Sequence, residues 1–176
     1  MNALQRPYLG FVFAISLGLA ALTSSEAHAG KKKDRKLMQA AAVDIVNVCS
    51  AIVVSRDSLD SAVSGKDFEI AKTSKIGQAS FKKVYRKTYG NGMFKTISEV
   101  AVGSKGECVT KVTNNYESEA LWGAVDSGLL NIGYQNKDKP IVASGMYIGS
   151  YKKGSRILVA IGRSGQSQST TIITRK

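Results

Sequence analysis

Apolar positions along the chain change their period where the elements are expected to change. Met38, Ala41, Ile45, Cys49 and Ile52 recur at three or four residues, which predicts a helix with one apolar stripe from Asp34, as cap, to about Val54. Ser55 to Ser64 reads as a short second helix stopped by Gly65. Residues 66–79 fit either another helical turn or a loop. Two-residue alternation then takes over. "SFKKVYRKTY" (80–89), the turn "GNG" (90–92) and "MFKTISEVAV" (93–102) read as a hairpin. "GSKG" leads into a third strand, "ECVTKVT" (107–113).

A helical pattern returns from about Tyr116 to Ile132, with Asn115 as cap and Gly133 past the end. Leu121, Ala124, Val125, Gly128, Leu129 and Ile132 form its apolar face. After the loop "QNKDKP", strands are expected at 141–151, 156–163 and 168–175. The order α-α-β-β-β-α-β-β-β predicts an α+β fold with an antiparallel sheet of about five or six strands and helices packed on one face. No internal repeat or linker is evident, so residues 37–176 are expected to form a single domain.

The front of the chain has a different pattern. Met1 to Arg6 carries one basic residue, and Leu9 to Leu22 is an uncharged, mostly apolar run. At about 1.5 Å per residue this run covers roughly 21 Å, short of the ~30 Å of a bilayer core. Ala27-His28-Ala29 follows, with small residues where a signal peptidase reads. Residues 1–29 are therefore expected to be a signal peptide, and residues 30–36 a basic flexible arm. The arm fits a solubilising spacer or a loose, peripheral contact with an anionic membrane surface. No later segment was expected to span a membrane, so the product is placed outside the cytoplasm: in the periplasm first, with the cell surface or medium as alternatives.

Charge sharpens the picture. The chain has a net charge of +12, and the one basic and one acidic residue of the leader cancel, so the exported domain keeps all of it. Such a balance speeds encounter with acidic partners without naming one. The only cysteines, Cys49 and Cys108, are expected to pair in an oxidising compartment. The only histidine, His28, lies in the leader, which removes histidine-based triads, metal ligation and pH switching from the exported domain. No metal site or cofactor is expected.

What remains for chemistry is thin. Ser80/Lys83 and Ser150/Lys153 match S-x-x-K, but on expected strands or turns. Glu117 and Glu119 sit where a helix dipole favours acids, and Asp126 falls on the expected polar face of that helix. Trp122 fits the edge of the core or, if exposed, a platform for a sugar ring. The sharpest binding candidate is "FKKVYRKTY", where Lys82, Lys83, Tyr85, Arg86 and Lys87 mix cations with a flat ring, as suits an anionic polymer. On one continuous strand Phe81, Lys83, Tyr85, Lys87 and Tyr89 would share a face. The expected function is an exported, non-catalytic binding protein for an anionic partner of the cell envelope: an acidic polysaccharide, lipopolysaccharide or an acidic protein. The alternatives are a small carboxylate-based hydrolase of wall or matrix polysaccharide, and a secreted inhibitor or assembly accessory.

Overall fold

The computed structural model describes residues 35–92, 94–113, 118–164 and 168–175. The expected signal peptide, the first residues of the arm and the caps Asp34 and Asn115 lie outside the described residues. Helix α1 spans Arg35–Ser55, so Arg35 and Lys36 belong to its first turn and not to an arm. It ends in a wide turn at Ala51–Ser55, where Arg56 takes a left-handed φ of 61° and the Asp57 amide donates to the Ala51 carbonyl. Helix α1 is long and apolar enough to cross a membrane, contrary to expectation. In the fold it is instead the core helix: Met38, Ala42, Ile45, Val46, Val48, Cys49, Ile52 and Val53 are all buried.

Helix α2, Leu59–Val63, is shorter than the sequence suggested, because the Ser58 hydroxyl caps it by accepting from the Ser61 amide. The ambiguous segment 66–79 forms strands β1 (Glu69–Ile70), β2 (Lys75–Ile76) and β3 (Ala79–Ser80). The expected strand over 80–89 does not form as one piece. The chain leaves β3, the Phe81 amide donates to Ser74 and Val84 accepts from Ala71, and only at Tyr85 does β4 (Tyr85–Asn91) begin. Strands β5 (Phe94–Val102) and β6 (Cys108–Thr113) follow as expected.

Helix α3 covers Ser118–Asn131, with Gly133 past its end at φ +88°. Strand β7 is Gln135–Asn136. The strand expected at 141–151 folds back on itself as β8 (Ile141–Ala143) and β9 (Met146–Lys153). Ser144 and Gly145 both take positive φ, the geometry of a two-residue hairpin turn. Strands β10 (Arg156–Ser164) and β11 (Gln168–Arg175) complete the chain.

The main sheet has nine strands in the order β1-β4-β5-β6-β11-β10-β9-β7, with β8 also on β9, and every pairing is antiparallel. This is the expected α+β class, widened by short edge strands. Residues of α1 and α3 share one core with the same sheet face, through Val100, Cys108, Val112, Leu158, Ala160 and Ile173. A disulfide joins Cys49 of α1 to Cys108 of β6, with Cα atoms 5.3 Å apart. Gly128 lets α3 approach α1, since a Cβ there would lie 2.9 Å from a Val46 methyl.

The topology also contains a repeat that the sequence reading missed. Two helix-led meanders, β4-β5-β6 and β9-β10-β11, meet through antiparallel pairing of their last strands. Tyr85, Thr88, Tyr89 and Gly92 recur 62 residues later as Tyr147, Ser150, Tyr151 and Gly154. Both glycines close the first hairpin of their meander with φ near +60°. Only four of the 29 residues from Tyr85 to Thr113 have an identical match at that spacing, which is why the pattern is faint in the sequence.

Candidate anion-binding surfaces

Tyr85, Lys87 and Tyr89 face the helices, opposite Val100, Ser98 and Thr96 of β5, while Arg86 pairs with Glu99 on the other face. Phe81, expected beside Tyr85, packs instead on that other face against the small cluster of Ile76, Val84, Ala101 and Val109. The break between β3 and β4 causes this, because alternation does not carry through a non-strand segment.

Most charge in this segment is met by carboxylates of the same chain. Lys83 Nζ donates to Asp60 at 2.8 and 3.0 Å, and the Tyr85 hydroxyl donates to the same carboxylate at 3.1 Å. These bonds hold the Asp60 carboxyl below its ordinary value and raise the Lys83 ammonium. Arg86 donates twice to Glu99, at 2.6 and 3.1 Å, and Lys111 lies 3.9 Å from the other oxygen of this buried acid. Lys87 Nζ and the Tyr89 hydroxyl both donate to Asp44, at 2.8 and 2.7 Å. Of the five expected contact residues, only Lys82 stands exposed without a polar partner among the described residues. It borders a groove of about 710 Å³ between the β2–β3 hairpin and the sheet, lined by Phe81, Val109 and Ile172.

The second meander carries a related but different cluster. The hydroxyls of Tyr147 and Tyr151 contact each other, and both donate to Asp126, at 3.4 and 2.9 Å. Asp126 is thus engaged under the sheet, not solvated on a polar face as expected. Burial raises both phenols, Tyr147 to about 12. Trp122 stacks on Tyr147 with ring centroids 5.8 Å apart and is buried, so it is core and not a sugar platform. Gly162 makes room for its indole.

Neither S-x-x-K pair is wired for catalysis. Lys83 is held by Asp60, and Lys153 Nζ donates to the Ile132 carbonyl at 2.6 Å. Glu117 lies outside the described residues. Among the described residues no group of three or more potential metal-ligating side chains gathers.

The last part of the chain differs in having cations without acids beside them in sequence. From Lys139 to Lys176 the chain has seven basic residues and no acidic one. Every ion pair among the described residues joins groups between Asp44 and Lys111. Arg175 lines a cleft of about 590 Å³ with Arg56 and Lys105, where Asp57 is the only acid among the described residues. Lys152, Arg156 and Arg163 are exposed on β9 and β10. In the sequence "YKKGSR" (151–156) repeats the mix of cations and a ring but reads first as a solvated turn; the missing signal was the absence of acids over the last 38 residues. No family model matches the chain, and no curated protein or solved structure is significantly similar to it.

Proposed function

We propose that this is an exported, non-catalytic binding protein whose partner is an anionic component of the cell envelope, and that the second meander supplies most of the contact. The observation that carries this reading is the acid-free run of cations from Lys139 onward, none of which forms an ion pair among the described residues. A cation already neutralised by a neighbouring carboxylate adds little to long-range attraction, whereas unpaired ones set the local potential. Lys82 adds to this surface from the first meander. Lys83, Arg86 and Lys87 serve the fold first, through Asp60, Glu99 and Asp44.

The reading is tested by a salt-graded pull-down from envelope material. Capture should weaken steeply as salt rises, as it does wherever binding displaces counterions. Reversing Lys152, Arg156 and Arg163 to Glu should abolish capture. Capture that ignores salt, or that survives this triple reversal, contradicts the proposal.

A further inference from the structure

The sheet face away from the helices carries a row of aliphatic side chains in register across six strands. Ile141 pairs with Ile148, Ile148 with Ile161, Ile161 with Ile172, Ile172 with Val109 and Val109 with Ala101. Residues paired in this way place their side chains on one face, and at about 4.8 Å per strand the row is roughly 24 Å long. The β2–β3 hairpin covers only one end of it, where Ile76 and Phe81 pack on Ala101 and Val109. Beyond the hairpin the row is open at Ile172, 37% exposed, Ile161, 38%, and Ile141, 62%, with Ile148 half-buried between the last two.

The rim of this open part is basic. Arg163 lies two residues beyond Ile161 on the same face, Lys152 lies at the other end of β9, and Lys137 and Lys139 stand exposed in the β7–β8 loop on either side of one acid, Asp138. A second copy would bring the same cations against each other on a chain of net charge +12, so like charges oppose self-association here. The edge also presents aliphatic side chains on both of its faces, since Val142 is 57% exposed on the side opposite Ile141. A complementary protein surface covers one face of a strand. A lipid interface surrounds an edge, takes aliphatic groups into its acyl boundary and places anionic headgroups beside flanking lysines and arginines.

Building on the proposed anionic partner, we propose that the β8–β10 edge of the open face docks on a bilayer of anionic phospholipid. Ile141, Val142, Met146 and Ile161 enter the interface, and Lys152 and Arg163 contact headgroup phosphates.

Sedimentation of the exported chain with phosphatidylglycerol-containing vesicles tests this, with phosphatidylcholine vesicles as the neutral control. The chain should sediment with the anionic vesicles only. Combined Ile141→Ser, Met146→Ser and Ile161→Ser should weaken this by about tenfold or more, as should Lys152→Glu with Arg163→Glu. Val43→Ser, an exposed aliphatic site on α1, should leave it unchanged. Ile141→Ser alone carries the test if the triple variant does not fold, because its side chain is the most open of the row. Failure of the unaltered chain to bind anionic vesicles overturns the proposal. So does serine-variant binding equal to the unaltered chain, or a dimer that the serine substitutions dissolve. Salt-sensitive capture from envelope material in any of those cases leaves the broader function standing, and loss of that capture as well removes both.

Discussion

The two meanders place tyrosines at matching positions and then treat the space between them in opposite ways. In β4 the residue between Tyr85 and Tyr89 on the helix-facing side is Lys87, which reaches Asp44 beside the Tyr89 hydroxyl. In β9 the matching residue is Gly149, and without a side chain there the Tyr147 and Tyr151 hydroxyls close on each other and on Asp126. One half therefore uses four of its cations, Lys83, Arg86, Lys87 and Lys111, internally as partners for carboxylates. The other builds its core from phenols, an indole and aliphatic groups, and leaves its cations outside. Charge count alone does not separate these cases; what separates them is where the acids lie.

The largest difference to test is covalent. Helix α1 is tied to β6 by Cys49–Cys108, across 59 residues, whereas α3 is held to its meander by packing and by the Asp126 carboxylate accepting from Tyr147 and Tyr151, without a covalent bridge. In the chain-entropy picture this bridge contributes about 4 kcal/mol. Cys49→Ala with Cys108→Ala should lower the unfolding free energy by about that amount in a denaturant titration. Amide exchange should accelerate first along α1, with α3 following only at the global rate. Equal acceleration of both helices would show that the halves do not differ in this way.

Alkaline pH addresses the phenolic core. An unfolded tyrosine titrates near 10.0, while Tyr147 is pushed up to about 12, chiefly by burial and also by nearby Asp126. Tyr151 and Tyr89 shift in the same direction. With the folded value raised, the unfolded chain loses its proton first, so stability is intact below pH 10 and falls as pH rises from 10 toward 12. For Tyr147 this amounts to about 3 kcal/mol at the upper end. Urea midpoints measured across that window should decline steadily. A flat profile would mean that the phenol cluster is more open to water than its burial indicates.

Exchanging the central residue acts on the same contrast more locally. A Cβ at Gly149 would lie 2.6 Å from the Tyr151 hydroxyl and 2.7 Å from that of Tyr147, so Gly149→Ala should cost about 2 kcal/mol by overpacking. Lys87→Ala removes a side chain that has room and leaves Asp44 the Tyr89 hydroxyl, so it should cost about 1 kcal/mol. Thermal unfolding of the two variants should show the glycine change as the more damaging one.

How much of this could be read from the sequence follows from the range of the interactions. Helices α1 and α3 were legible because their stripes need only a three- to four-residue period, and β5, β6, β10 and β11 because alternation and glycine turns are local. The disulfide followed from the cysteine count and the compartment expected from the leader. The break at Phe81–Val84 was not legible, since it depends on hydrogen bonds to Ser74 and Ala71. Asp126 was misread for a related reason: its partners are phenols 21 and 25 residues away. The basic segment from Lys82 to Lys87 drew attention through density of charge, but Asp44, Asp60 and Glu99 come from three other elements. A quieter pattern, the lack of any acid after Asp138, was present in the sequence throughout.

The finest separation of the two halves comes from single arginines, one from each. Arg86 donates two bonds to Glu99, which is only 5% exposed, and removing it leaves that acid with Lys111 at 3.9 Å. Arg86→Gln should therefore cost about 1–2 kcal/mol, because a buried carboxylate left underpaired retains most of its desolvation penalty. The same change should alter capture from envelope material little. Arg163→Gln should shift stability by no more than about 0.5 kcal/mol, as expected for an exposed site without a carboxylate partner. It should nevertheless reduce capture and lower the salt slope by about one counterion. The opposite assignment, with Arg86 affecting binding and Arg163 affecting folding, would reverse the roles given to the two meanders. Because each variant is scored on both measurements, a general loss of fold cannot pass for a loss of binding.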